Sequence, residues 1–477
     1  MDLSLVVWVI LPLNVIFAII IVFFERKDPT EAIAWLVLLF LLPPVGFVLY
    51  LLLGQNYTRQ KMFVVKEHDD RSFLREIFAE QQRRLTDRNH RFATREAERF
   101  QKTISLLLQN NQAYLTEGNR VEIFTQGEDK FEALFRAIRE ARHHIHLEYF
   151  VINNDDLGRA VIHALAERAR QGVEVRLLID TMGSLRGGGL KVAFRELTDA
   201  GGKIGAFFPS IYRVNYRNHR KIAIIDGVAG FIGGFNIGDD YLGKGPLGYW
   251  RDTAIQVVGP AAWALQLRFF LDWNYTTGEG LRLNSHYFPD TGTPGTTPIQ
   301  IVSSGPDTRW SPIKDGYINL INSARESVYI QTPYFIPDDS VTDALRIAAL
   351  SGVDVRIMIP CKPDHIFVYW ATLSFIGDLL EAGVRAYTYD AGFLHAKTIV
   401  VDREAGSVGS ANWDVRSFRL NFEANAFFYD AAVGAELAGA FEEDLSVCTE
   451  ITLENYRARP IEIRLKESIS RLFSPLA

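Results

Sequence analysis

Two histidines, each followed two residues later by a lysine, head a five-residue pattern that occurs twice in this chain. His219, Lys221, Asp226, Gly233 and Asn236 form the first copy, in HRKIAIIDGVAGFIGGFN. His395, Lys397, Asp402, Gly409 and Asn412 form the second, in HAKTIVVDREAGSVGSAN. The internal spacing is identical, and 176 positions separate the two histidines, about one domain length. These residue types suit attack on a phosphodiester, whose negative charge repels nucleophiles and whose alkoxide leaves only when protonated. One imidazole can attack phosphorus to form a phosphohistidine while a second, protonated imidazole donates to the departing oxygen; acid and base roles then reverse. Histidine titrates near neutrality, so a neutral and a charged ring can coexist. Lys221 and Lys397 would hold the non-bridging oxygens, and the amides of Asn236 and Asn412 would add donors where charge develops. A single histidine on a strand is ordinarily a packed core residue; two intact copies argue for chemistry.

In both copies the histidine and lysine open an apolar run, IAIID or TIVVD, that reads as a buried strand. Residues two apart on a strand share a face, so each His–Lys pair points one way. Asp226 and Asp402 count among the catalytic six by motif membership, yet they close the strands facing the other way, which suits a structural role. Better placed to orient the imidazoles are Asp252 in WRDTAIQV and Glu423 in LNFEANAF, each at or near the start of a later strand.

The duplication extends beyond the motifs. VEIFTQGEDKF parallels IQIVSSGPDTR, HLEYFVI parallels QTPYFIP, and GVEVRLLID parallels GVDVRIMIP. These β-branched runs alternate with stretches of helical composition such as RAVIHALAERARQ and VTDALRIAALS, so the predicted class is α/β, with two similar domains facing each other. TTGEG and PDTGTPGTTP supply the surface connection between them.

A net charge of −6 over 477 residues argues against a general polyanion binder, and no nucleic-acid partner is expected. Around the first motif, however, YRVNYRNHRK gathers Arg213, Arg217 and Arg220 as candidate binders of anionic head groups. The chain has only two cysteines, Cys361 and Cys448, which gives no disulfide framework and fits a reducing compartment. The histidines of HHIH, His143 to His146, read as structural. No phosphate-binding glycine loop, metal site or cofactor is expected.

Leu3 to Phe24 and Ala32 to Gly54 lack charged residues, and each reaches the ~20 residues that cross a bilayer. With ERKDPTE between them and no signal-peptide cleavage pattern, they read as a membrane hairpin whose second helix is kinked at Pro43 and Pro44. The basic residues Arg59, Lys61, Lys66, Arg71 and Arg75 follow the second span and place what comes after it on the cytoplasmic side. Glu67 to Asn110 reads as charged amphipathic helices near the membrane. At the other end, RPIEIRLKESISRLFSPLA sets Ile461, Leu465, Ile469, Leu472 and Phe473 against Arg464, Lys466 and Arg471; an interfacial helix and a helix packed on the domain both fit.

The paired motifs resemble the phospholipase D superfamily, whose two HKD motifs meet across a pseudo-twofold interface to make one active site. The hairpin, LEYF, NHRKIAIID, GGFNIGDDYLG, SANWDVRSFRLNFEAN and FEEDL narrow the resemblance, over nearly the whole chain, to bacterial cardiolipin synthases of the phospholipase D type. That resemblance implies transfer of a phosphatidyl group between two phosphatidylglycerol molecules at the membrane, releasing glycerol. It also implies that a carboxylate at about the place of Glu423, with Asp252 as its counterpart, binds a histidine ring, and that His219 is the nucleophile. Domain boundaries follow: 1–54 hairpin, 55–118 charged helical linker, 119–278 first domain, 279–298 connection, 299–448 second domain, and 449–477 C-terminal amphipathic segment. A phospholipase D hydrolase, a phosphatidylserine synthase, an HKD nuclease and a non-enzymatic membrane scaffold are the competing classes; the hairpin disfavours the nuclease and the intact motifs disfavour the scaffold.

Overall fold

The computed structural model describes residues 6–25, 29–50, 81–83, 91–184, 190–207 and 216–474. The first half contributes β1 (Leu115–Phe124), β2 (His144–Tyr149), β3 (Glu174–Asp180), β4 (Lys203–Phe207), β5 (Arg217–Asn218), β6 (Lys221–Ile225), β7 (Ala229–Gly233), β8 (Tyr249–Arg251) and β9 (Ala254–Val258). The second half contributes β10 (Thr297–Ser304), β11 (Ser327–Gln331), β12 (Phe335–Ile336), β13 (Asp354–Pro360), β14 (Arg385–Tyr389), β15 (Gly392–Leu394), β16 (Thr398–Val401), β17 (Ala405–Gly409), β18 (Trp413–Asp414), β19 (Asn421–Tyr429) and β20 (Cys448–Ile451).

One mixed sheet runs through both halves. Outward from the antiparallel β1–β10 pair, the order is β9-β7-β6-β2-β3-β4 on one side and β19-β17-β16-β11-β13-β14 on the other, where β20 adds a further edge strand beside β14. β2-β3-β4 in one arm and β11-β13-β14 in the other are parallel, and the remaining pairs, β14–β20 included, are antiparallel. Parallel neighbours need crossover helices, which Asp156–Arg170 and Asp339–Leu350 supply. Asp155 and Asp338 cap those two helices by accepting the N–H of Gly158 and Val341. The central strands are covered on both faces, which is why IAII and TIVV are continuous apolar runs. The α/β class is borne out.

The aspartates that end the motifs make the same local knot in each half. Asp226 and Asp402 sit in the left-handed region, at φ 55° and 53°, where aspartate is tolerated better than most residues. Asp226 accepts the backbone N–H groups of Arg142, His143 and His144 at 2.8–2.9 Å. Asp402 accepts those of Arg325, Glu326 and Ser327 at 2.7–2.9 Å, and Arg99 pairs with it. Each carboxylate thus joins the end of a motif strand to the start of its neighbour, β2 or β11.

The described part of the supposed membrane-side linker packs elsewhere. Ala97, Phe100, Ile104 and Leu107, from the helices Arg95–Arg99 and Gln101–Asn111, enter the second half's core with Ile313, Tyr317, Leu320 and Phe427. Amphipathic periodicity identified a buried face but not the surface that buries it.

At the N-terminus, helical segments Leu11–Ile19 and Pro29–Leu41 are antiparallel neighbours, and π-helical turns flank the first. The second breaks at Leu42, with φ −127° and ψ 65°, before resuming at Pro43–Leu49. Among the described residues no single helix is long and apolar enough to cross a membrane. Pro43 has no N–H to offer the carbonyl of Leu39, and the buried amide of Asn14 donates to it instead at 2.7 Å.

Replacing Asp402 with alanine removes the acceptor of three backbone amides and leaves a left-handed residue without its side-chain bonds. We expect a loss of about 3 kcal/mol, a fall of about 6–12 °C in Tm, with activity per folded molecule retained at 25 °C. Thermal unfolding alongside turnover checks this; lost activity at unchanged Tm would return Asp402 to the reacting centre.

Candidate active site

Two short ladders between the halves assemble the site. β5 runs parallel to β19, pairing Arg217 with Asn421 and Asn218 with Phe422. β15 runs parallel to β8, pairing Gly392 with Tyr249, Phe393 with Trp250 and Leu394 with Arg251. The next residues in register are His219 opposite Glu423 and His395 opposite Asp252. The backbone N–H of His219 bonds the carbonyl of Phe422 at 2.9 Å, and that of His395 bonds the carbonyl of Arg251 at 2.7 Å.

The side chains complete this crossed arrangement. Nδ1 of His219 lies 2.9 and 3.0 Å from the two carboxylate oxygens of Glu423, and Nδ1 of His395 lies 2.6 Å from Asp252 Oδ2. Each imidazole is therefore held by a carboxylate from the other half. A ring that donates its Nδ1–H in this way keeps the Nε2 lone pair for attack or proton transfer. Glu423 also accepts Ser410 Oγ at 2.5 Å and Asn421 Nδ2 at 3.3 Å, and Asp252 accepts the N–H of Thr253 at 2.7 Å. Lys221 and Lys397 are buried beside the histidines, their Nζ atoms donating to the carbonyls of His219 and His395. Asn236 accepts the Val151 N–H at 3.3 Å and donates to Tyr241 OH at 3.3 Å; Asn412 is buried, with no partner for its Oδ1 among the described residues.

Sequence reasoning did not single out the aromatic walls. Phe150 stands edge-on to His219 with ring centroids 4.8 Å apart, Trp250 lies 5.2 Å from the His395 ring, and Tyr241 OH is 3.2 Å from His395 Nδ1. Tyr241 is five residues beyond Asn236 in the quoted GGFNIGDDYLG, the available signal for it.

The basic cluster does not act as one surface. Arg213 lies outside the described residues. Arg217 is half-buried and donates to the carbonyl of Tyr216. Arg220 lies between His219 and Lys221 on extended backbone, so it projects away from their shared face. It is 1% exposed, pairs with Asp272 at 2.6 Å and donates to the Glu423 carbonyl at 3.2 Å. This corrects its assignment as a head-group binder: Arg220 ties the first motif to the helix Pro260–Thr277. His144 and His146 bracket Gln266 at 2.9 and 2.8 Å in the core, and burial pushes both down to about 3.

Burial dominates the electrostatics. It pushes His219 down to about 4 against the pull of Glu423, with Lys221 and Lys397 lowering it further. His395 lies well below its ordinary value through burial and the charges of Lys397, Lys221 and His219. Each histidine thus feels both lysines, so the two motifs converge on one space. Burial pushes Lys397 down to about 8 and Asp252 up to about 7. Burial raises Glu423 too, but His219, Lys221 and Ser410 together hold it below its usual range. A bound phosphodiester would bring a negative charge and raise both lysines and both imidazoles.

This site, in this fold, is of the phospholipase D-like class. The family described as "Cardiolipin synthase, PLD-like domain" matches residues 134–244 and 317–445, and "Phospholipase_D-nuclease N-terminal" matches 13–55. The chain is 51% identical over 475 residues to the major cardiolipin synthase of Bacillus subtilis (strain 168), covering 97% of each. It is 49% identical over 471 residues to a cardiolipin synthase of Staphylococcus aureus (strain Mu50), covering 97% of this chain and 95% of that one. The crystal structure of phosphatidylserine synthase from Haemophilus influenzae Rd KW20 shares the fold, with a TM-score of 0.60 at 14% identity over 79% of this chain and all of that one. The chain belongs to the cardiolipin synthase family of phospholipase D-like proteins.

Lys397 carries its charge below about 8 and loses it as pH rises through that value. In the free enzyme, kcat/KM for a soluble phosphodiester should therefore fall on the alkaline side of pH 8. Burial lowers Lys221 as well, so Lys397→Arg, whose charge persists at alkaline pH, should remove the part of that limb that Lys397 sets and leave only what Lys221 contributes, even if it lowers the rate. A limb unchanged in Lys397→Arg would assign it to another group.

Proposed function

We infer that this chain is a cardiolipin synthase, a phosphatidyltransferase that makes cardiolipin and glycerol from two phosphatidylglycerol molecules. The observation that carries this reading is the pair of histidines, each held through Nδ1 by a carboxylate from the opposite half, in a chain about half identical to named synthases.

In the proposed cycle the phosphate of the first lipid lies between Lys221 and Lys397. His219 Nε2 attacks phosphorus, the P–O bond to glycerol breaks, and His395 protonates the departing oxygen. His395, now neutral, removes the proton from a hydroxyl of the second lipid's glycerol. That oxygen displaces His219, restoring the imidazole. Asn236 and Asn412 are proposed to steady the equatorial oxygens, and Asp252 and Glu423 the imidazolium charges. Water is the competing acceptor; Phe150 and Trp250 beside the histidines exclude it, leaving the lipid alcohol favoured by its local concentration.

The mirrored strand orders support a pseudo-twofold axis at the β1–β10 pair, relating domains over 119–278 and 299–448. The apolar runs 3–24 and 32–54, with the basic residues that follow, support a hairpin anchored in the bacterial cell membrane and catalytic domains on its cytoplasmic side.

Purified protein given phosphatidylglycerol alone should release glycerol and form a lipid with two phosphates and four acyl chains, read by mass spectrometry. Exclusive formation of phosphatidic acid would instead make it a hydrolase.

The histidines can be separated with a nitrophenyl ester, whose leaving group needs no proton. His395→Ala should still form a phosphatidyl-enzyme from it, whereas His219→Ala should form none; both should be nearly inactive on phosphatidylglycerol. Rapid quenching and mass spectrometry locate the adduct, and finding it on His395 reverses the assignment.

A further inference from the structure

The C-terminal helix, Ile461–Phe473, is mounted with its polar side inward. Glu467, Ser470 and Ser474 are buried. Glu467 bonds Arg459, while Arg471 reaches Ser374 and Asp378 of the helix Ile366–Leu380. The opposite side carries Ile461, Leu465, Ile469 and Leu472, spaced to form one stripe, and these are 73%, 58%, 43% and 69% exposed. In water such a helix would normally be mounted the other way round, because each exposed aliphatic side chain forgoes about 1.5–3 kcal/mol of burial.

A second exposed apolar pair lies near the active site, on the helix that carries the stripe's mounting. Lys466 lies over Trp370 at 5.3 Å and Arg471 meets residues 374 and 378, so the C-terminal helix packs against the one that begins at Ile366. There Ile366 and Phe367 are 64% and 68% exposed. They directly follow Asp364 and His365; Asp364 accepts a hydrogen bond from Tyr334 and its charge acts on Lys397. Exposed apolar side chains thus stand near the reaction pocket at Ile366 and Phe367 and, on the helix packed against theirs, along about 20 Å. Arg464 and Lys466 flank the stripe on either side and outnumber the one exposed carboxylate at its edge, Glu462, a net positive border that complements an anionic lipid surface.

We propose that Ile461, Leu465, Ile469 and Leu472, with Ile366 and Phe367, form a second membrane-docking surface that holds the mouth of the active site in the lipid headgroup layer, independently of the N-terminal hairpin. It builds on the reading of the chain as an enzyme of membrane lipids and assigns where the lipid enters. A hairpin alone would leave the catalytic body free to turn, whereas a second contact fixes the pocket toward the bilayer.

The test uses the full chain in phosphatidylglycerol-containing vesicles, with Cys361→Ser and Cys448→Ser and an environment-sensitive fluorophore on Leu465→Cys or, as a control at the far end of the strands, on Gln171→Cys. The label at 465 should shift to the blue and be quenched by nitroxide-bearing lipids several-fold more than at 171. Leu465→Glu combined with Ile469→Glu should lower turnover of vesicle lipid about ten-fold while leaving turnover of a soluble short-chain diester unchanged. Equal quenching at both positions overturns the proposal. So does a shift at 465 that tracks protein density and ignores the lipid nitroxide, because a second copy then covers the stripe. Quenching is read without reference to the product formed, so it stands or falls separately from the cardiolipin synthase assignment.

Discussion

The exchange of carboxylates between the halves is the constraint on which this site depends. Each histidine is fixed by three contacts: its own strand, a backbone bond to the neighbouring ladder, and a carboxylate that the other half presents one residue beyond that ladder. Sliding β5 along β19 by one residue would replace Glu423 with a neighbour facing the opposite way, since side chains alternate along an extended chain. The long continuous sheet serves this register. By tying β1 to β10 at the centre, with one apolar core shared across the join and a further one on each side, it lets the two halves be positioned as closely as adjacent strands. Neither half alone contains a complete histidine–carboxylate pair, so duplication of the motif and joining of the halves are one requirement.

The same constraint explains what was legible in the sequence. Spacing within each motif is local, so His219, Lys221, His395 and Lys397 and the strands beneath them are readable from the alternation of side chains. Asp252 and Glu423 are readable as carboxylates entering later strands. That they cross over is not, because the pairing of β5 with β19 and of β15 with β8 joins segments more than 140 residues apart that carry no mark of their partner. Arg220 misled for a related reason. Composition counts it with Arg213 and Arg217, but on extended backbone every second residue leaves the face of its neighbours, and Asp272, far along the chain, receives it. The C-terminal segment shows the limit of periodicity: the helix and its apolar stripe are both visible in the sequence, while the direction the stripe faces depends on the buried Glu467–Arg459 pair and on Ser374 and Asp378.

Charge balance then ties the architecture to the chemistry. Burial pulls both lysines down and Asp252 up to about 7, so it favours paired charges: with both lysines charged, both carboxylates ionised and both imidazoles neutral, these six groups of the buried site sum to zero. A phosphodiester entering it adds one negative charge, and the least costly compensation is one proton on an imidazole. Substrate binding therefore raises the proton affinity that burial had lowered, and the enzyme acquires its general acid as the diester arrives. In the proposed cycle this balance holds without substrate, with it and after attack: with His219 as nucleophile the phosphohistidine ring would carry a positive charge beside Glu423, the phosphate would keep its negative charge, and the second histidine would have given its proton to the leaving glycerol. A second lipid hydroxyl can then approach without opposing an unbalanced charge in the pocket. Water meets the same neutral pocket, so charge does not discriminate between the two acceptors; the aromatic walls and access from the lipid phase must do so.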